Sequence, residues 1–315
     1  MERRQLGNSG LEVGSLVLGG NVFGWTADEQ TSFKVLDAFV DAGFNAVDTA
    51  DMYSVWAPGH KGGESETIIG KWMKAANNRS KVLVVTKVGM DLGQGRKGLS
   101  KPYIIQAAED SLQRLQTDYI DLYLSHTDDK DTPLQDTLEA YEQLIEQGKV
   151  RAIGASNYSA ERLSEALEVS KEHGLPRYEC LQPCYNLYER KEYEGELEGV
   201  CRANNLGVIT YFPLASGFLT GKYRSEEDLS KSQRGAEIKK YLNDRGWRIL
   251  TALDQVAKQY DSNPARVAIA WVMARPSVTS PIASATSLEQ LNDLVEATSL
   301  KLDAAAIELL NQASA

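Results

Sequence analysis

The segment VLVVTKVGMDLGQGRKGLSKPYIIQAAEDSLQRL, Val82–Leu115, decides between two folds. It contains G-x-G-x-x-G at Gly93–Gly98, after an apolar run and before a stretch of helical spacing. Asp118 and Asp121 stand at about the distance where a doubly wound dinucleotide fold keeps its ribose-binding acid. That fingerprint works only if its first glycine ends the strand and the helix starts inside the motif, so that amide dipoles face the pyrophosphate. Here Val88–Leu92 intervene. The helix is expected near Ser100, with Pro102 in its first turn. The motif also falls in the third unit of the chain, whereas the fingerprint usually opens its domain. The glycines therefore read as a flexible loop, and the chemistry is expected where the strand closes, at Lys87.

Outward from this segment, the same alternation covers the chain. Apolar runs SLVLGG, NAVDTA, VLVVTK, YIDLYLS, VRAIGAS, YECLQP, GVITYFP and TSPIAS are each followed by an amphipathic stretch such as DEQTSFKVLDAFVDAG or LQDTLEAYEQLIEQG. Short continuous apolar runs are what doubly covered parallel strands require. Eight such units predict a (β/α)₈ TIM barrel closed by right-handed crossovers. A doubly wound open sheet is the alternative that periodicity leaves standing. GLEVG suggests an N-terminal β-hairpin plugging the barrel bottom. NPARVAIAWVMARP reads as an extra helix near the C-terminus, with Asn263 as N-cap and Pro264 in the first position. Ser287 and Gln290 form an S-x-x-Q capping box. Residues 222–245 are charged, lack a clear period and read as a long loop. No linker-like composition breaks the chain, which is taken as one domain, residues 1–315.

The 315 residues carry a formal net charge of −10. Phosphate backbones need basic surface, so nucleic acid is excluded as the main partner. Cys180, Cys184 and Cys201 make an odd count with no further ligands nearby. Buried thiols in a reducing compartment fit better than disulfides or a metal site. Neither a signal peptide nor an apolar membrane-spanning run is visible. The expectation is a cytoplasmic protein without membrane association.

Four polar groups follow apolar runs directly. Asp48 ends NAVD, Lys87 ends VLVVTK, His126 follows YIDLYLS, and Tyr53 lies in the next loop after Asp48. Singly, Asp48 could cap a turn, Lys87 could snorkel and His126 could be a satisfied core histidine. Barrel chemistry collects at the C-terminal strand ends, and joint placement on neighbouring strands favours a site. A buried Lys87 ammonium would favour ionisation of Tyr53, and Asp48 would keep the lysine charged. His126 could hold a carbonyl oxygen while Tyr53 protonates it.

The segments FNAVDTADMYS, VLVVTK, YIDLYLSH, VRAIGASNYS, LQPCYNLYER, GVITYFPLASGFLTGKY and SPIASATSLEQL, in this order and spacing, resemble the aldo-keto reductases. The likeness runs from RQLGNSGLEVGSLVLGG to about Leu294. It implies a barrel, NADP(H) and reversible carbonyl reduction on a small carbonyl or alcohol substrate. Tyr53 would be the general acid, Asp48 and Lys87 its tuning pair, and His126 the orienting group. It further implies cofactor contacts at Gly20, Asn21 and Asp48. Ser156, Asn157 and Gln182 would meet the carboxamide, and Tyr211 would stack on the nicotinamide. Pro213, Leu214, Gly217, Leu219 and Gly221 would wrap the pyrophosphate, and Ser284, Thr286 and Gln290 would receive the adenosine phosphate. Trp25, Trp56 and Tyr158 would wall the substrate pocket. The family often carries Lys or Arg where Thr286 stands. Any of Lys222, Arg224 or Arg234 could then supply the missing charge, and NAD(H) remains an alternative. Some family members resemble cofactor-binding regulatory subunits of potassium channels, and a barrel enzyme for a phosphate sugar is a third reading. Oligomeric state is left open.

Overall fold

The structure is a computed structural model that describes residues 2–231 and 235–315. Arg234 lies outside the described residues. Strands β1 (Arg3–Gln5) and β2 (Glu12–Gly14) form an antiparallel hairpin. Eight parallel strands then close a barrel: β3 (Val17–Gly19), β4 (Ala46–Asp48), β5 (Leu83–Val88), β6 (Ile120–Ser125), β7 (Val150–Ser156), β8 (Cys180–Gln182), β9 (Gly207–Thr210) and β10 (Ser280–Ala283). Each pairs with the next, and β10 returns to β3. The open-sheet alternative is thereby set aside. All eight apolar runs contain a barrel strand, as the demand for burial on both faces requires.

Alternate residues divide between two apolar layers. Val17, Ala46, Val85, Leu122, Leu124, Ala152, Ile209 and Ile282 fill the barrel interior. Their neighbours in sequence, such as Leu18, Val47, Val84 and Tyr123, pack outward against the helices. Leu6, Leu11 and Val13 of the hairpin join the interior layer, so the hairpin is the expected plug. Gly7 makes the docking tight. It sits at φ +58°, and an added Cβ would come within 2.4 Å of the Glu179 carbonyl.

The helix Pro264–Met273 is present, with the Asn263 side chain accepting from the Arg266 amide at 3.0 Å. A second helix, Asp244–Gln259, precedes it. Ser287 caps the helix Leu288–Ala297 through the Gln290 amide, but the reciprocal half of the capping box is displaced. The Gln290 side chain accepts from the Thr286 amide and hydroxyl, one residue before the cap. Residues 222–245 differ from the expected loop. They contain short helical turns at Glu226–Lys231, Gly235–Ile238 and Lys239–Tyr241. Asp228 holds the amides of Arg224 and Ser225, and Tyr241 stacks on Phe218 at 5.2 Å. Turns of three to six residues are too short to show a 3.6-residue period. Among the described residues, no helix is long and apolar enough to cross a membrane.

The glycine loop ends before its helix begins. That helix is Lys101–Leu115, with Ser100 at its N-cap. Gly93, Gly95 and Gly98 all have positive φ, and the loop closes on itself through bonds such as Arg96 N–H to Gly93 O and Gly98 N–H to Gly89 O.

Candidate active site

Parallel pairing in register brings the ends of β4 and β5 side by side, with Asp48 opposite Val85. The Lys87 side chain is fully buried, and its ammonium has three acceptors, one for each proton. Nζ donates to Asp48 Oδ1 at 2.7 Å, to the Thr49 carbonyl at 2.7 Å and to the Tyr53 oxygen at 2.8 Å. The Tyr53 hydroxyl in turn donates to Asp48 Oδ1 at 3.2 Å, a long bond that an incoming oxygen can replace. The other carboxylate oxygen, Oδ2, accepts from Gln182 Nε2 at 2.8 Å. Burial pulls the Lys87 ammonium below the ordinary lysine range, and the Asp48 charge pulls back.

His126 follows β6, and its ring stands 6.0 Å from the Tyr53 ring at 73°. Burial first, and the Lys87 charge second, hold its pKa well below the usual histidine value, so the imidazole is neutral at pH 7. Its Nδ1 is buried with no hydrogen-bond partner among the described residues. Trp56 lies 6.1 Å from Tyr53 and 5.5 Å from Trp25, both edge-on, so the two tryptophans stand together beside the phenol. Tyr158 differs. It is buried, and its hydroxyl meets Tyr178 at 3.2 Å, in a chain that continues to Ser125 and Tyr141. The same residue edges a neighbouring cavity of about 500 Å³, lined also by Asn157 and Cys184.

The polar groups at the ends of β7, β8 and β9 form one network. Asn157, at φ +57°, donates from Nδ2 to the His126 carbonyl at 2.8 Å and to Ser156 Oγ at 3.1 Å. Its Oδ1 accepts from the Tyr211 hydroxyl at 2.7 Å, and Ser156 Oγ donates to the Gln182 carbonyl at 2.8 Å. After Tyr211 the chain turns through residues with positive φ, namely Phe212, Ala215, Ser216 and Gly217. Pro213 and Leu219 are buried there, Leu214 and Gly221 half-buried. Gly217, at φ +99°, leaves room beside the Lys222 ammonium, which would lie 3.6 Å from an added Cβ.

Other expected contacts are already engaged with one another. Ser284 bonds to Asn21 Oδ1, and the Gly20 amide donates to the Asp48 carbonyl. Thr286 is held by Gln290. Arg224 makes a two-pronged pair with Asp254 at 2.8 and 2.9 Å and also donates to the Gly221 carbonyl. Its guanidinium is committed to the protein.

Sequence reading missed a buried acidic cluster behind Lys87. Glu66 accepts from Thr86 Oγ1 at 2.6 Å and from Arg114 Nε at 2.6 Å, and Asp51 lies beside it. One member alone left a trace, Asp51 as a second carboxylate three residues after Asp48 in DTAD, and nothing in the sequence tied it to Glu66 or Arg114.

The family model described as "Aldo/keto reductase family" matches residues 15–315. An uncharacterized oxidoreductase, YrpG, of Bacillus subtilis (strain 168) is 35% identical, over 99% of this chain and 95% of its own. The aldo-keto reductase YhdN of the same organism is 32% identical, over 96% and 90%. A probable voltage-gated potassium channel subunit beta of Oryza sativa subsp. japonica is 35% identical, over 94% and 91%. With a barrel closed by eight parallel strands and a family match over nearly its whole length, the chain belongs to the aldo/keto reductase family of oxidoreductases.

Proposed function

We propose that the protein is an NADP(H)-dependent reductase of small aldehydes or ketones, working reversibly with the corresponding alcohols. One observation carries the reading: a buried ammonium donates at once to a carboxylate and to a phenol beside it. The donor set at the rim suits a nicotinamide dinucleotide. Asn157, Ser156 and Gln182 offer amide and hydroxyl groups for a carboxamide, and Tyr211 offers an aromatic face. Lys222 beside the turn at Gly217 offers a cation for a pyrophosphate. Such a cofactor supplies a hydride to the carbonyl carbon when bound.

Tyr53 gives its hydroxyl proton to the carbonyl oxygen. The bond to Asp48 Oδ1 breaks, and the Lys87 bond strengthens as negative charge grows on the phenol oxygen. Asp48 keeps Lys87 charged against its burial. Gln182 orients Asp48 through Oδ2. The neutral His126 ring positions the carbonyl oxygen without competing as an acid. Trp25 and Trp56 offer aromatic surface beside the phenol that favours an apolar substituent on the substrate.

The test is a panel of aldehydes, ketones and sugar alcohols followed at the nicotinamide absorbance. Turnover with NADPH is expected. No imidazole ionisation near about 6.5 should appear in the pH profile, because His126 stays neutral there. A second reading, a cofactor-binding subunit of a channel, is favoured by the likeness to the rice protein. Tight cofactor binding without turnover of any panel member would select it.

A further inference from the structure

Asp51 lies three residues past Asp48, and the proton transfer described above does not use it. Its side chain is buried, at 2% exposure. Neither carboxyl oxygen has a hydrogen bond of good geometry among the described residues, although the Met52 amide lies near. Charged or titratable groups face it from several elements. Glu66 comes from the helix Glu64–Ala76, and Arg114 and Tyr103 from the helix Lys101–Leu115. Tyr123 comes from β6, Tyr141 from the helix Leu134–Glu146, and Lys87 from β5. The Asp51 amide donates to the Lys87 carbonyl at 3.2 Å, so the two residues are fixed relative to each other.

Two acids here compete for one guanidinium. Glu66 has it, together with the Thr86 hydroxyl, and is a satisfied carboxylate. Asp51 is left with a like charge beside it and no adequate donor. A carboxyl in that position keeps its proton. Burial first, and the Glu66 charge second, push it up to about 8.

We infer that Asp51 is a positioning residue for the reaction: it is a neutral acid at pH 7, and in alkali it gives its proton to solvent and becomes a second negative charge that holds Lys87 protonated beside Tyr53. The inference rests on the reading of Tyr53 and Lys87 as the proton-transfer pair. Its logic is corrective. Burial threatens the Lys87 charge as pH rises, and the Asp51 charge appears in that direction and opposes the loss. The sign for stability is opposite. An acid with folded pKa raised from 3.8 to about 8 contributes stability below the lower value, and that contribution is lost as pH climbs to the upper one.

The test variant is Asp51→Asn, which keeps the shape and removes the ionisation. Measured as kcat/KM for an aldehyde with NADPH, it should stay within about twofold of wild type near neutrality, where both side chains are uncharged. Its alkaline limb should move down by roughly 1 pH unit, the scale of one nearby buried charge. An alkaline limb that does not move overturns the inference. A readout without turnover is carbon-13 NMR of protein labelled at the aspartate carboxyls. One buried carboxyl should titrate near 8. Complete ionisation of every aspartate by about pH 6 overturns the inference, whatever the variant does. Should Asp51→Asn not fold, Glu66→Gln should lower the midpoint of that same carboxyl, and an unchanged midpoint counts against it. The two readings fail separately. Activity retained in Tyr53→Phe overturns the proton-transfer pair and leaves the NMR titration standing, whereas an inactive Tyr53→Phe with an unmoved alkaline limb in Asp51→Asn removes the role of Asp51 alone.

Discussion

The two ends of the barrel mouth are built on different electrostatic terms. At the β4–β5 end, Asp48, Lys87 and Tyr53 are locked together in the interior, and every ammonium proton has a partner. At the β9–β10 end, the cations Lys222 and Arg224 are exposed, and Arg224 is paired with Asp254 at the surface. A buried ion pair is costly to break, because the remaining charge has no water to turn to. An exposed pair contributes about 0–1 kcal/mol and is screened by salt. On the proposed reading the inner cluster carries the chemistry, and the outer rim can be retuned with little harm to the fold.

Substitutions can break or sharpen that contrast. The largest effect is expected at Tyr53. Tyr53→Phe should lower kcat by on the order of 10²–10⁴, the usual contribution of an acid–base group, while fluorescence titration shows NADPH still bound. Activity above about a tenth of wild type would show that the inner cluster is not the chemical centre. Next comes Lys222. Lys222→Met should weaken NADPH and NADH alike, by roughly tenfold in Kd, if the ammonium beside Gly217 meets the shared pyrophosphate. A loss confined to NADPH would move its contact to the 2′-phosphate.

Arg224 should matter less. It was a candidate for that phosphate on sequence grounds, but Asp254 already holds it. Arg224→Met is expected to change the NADPH-to-NADH ratio of kcat/KM by less than about fivefold, the scale of an exposed pair. A collapse of the ratio would show that the guanidinium leaves Asp254 when cofactor binds. The smallest effect is expected in the glycine loop. Replacing Gly93 and Gly95 with Ala should alter NADPH affinity by less than about 1 kcal/mol, because nothing packs against either position and only positive φ is strained.

What was legible in the sequence divides along the same line. Strands buried on both faces write themselves as apolar runs, so even three-residue strands such as β4 and β8 were visible. The polar residue ending each run marked Asp48, Lys87 and His126, because a barrel has one chemical face. The cluster of Asp51, Glu66 and Arg114 was not legible. Its members lie on a loop and two different helices, and only the packing of those helices brings them together. The engagement of Arg224 was hidden for a similar reason, since Asp254 is 30 residues away on another element. The helical turns at Glu226–Lys231, Gly235–Ile238 and Lys239–Tyr241 were missed because three to six residues are too few to show a helical period.

The hairpin that closes the barrel bottom also bears on traffic. Leu6, Leu11 and Val13 fill the far end of the interior, so visitors use the mouth for arrival and departure alike. A vessel with one doorway serves its guests in sequence. If the nicotinamide end lies deeper in that doorway than the carbonyl compound, the dinucleotide must enter first and leave last. Initial-rate kinetics would then follow an ordered pattern, with the oxidised dinucleotide competing against the reduced one and the alcohol competing against neither.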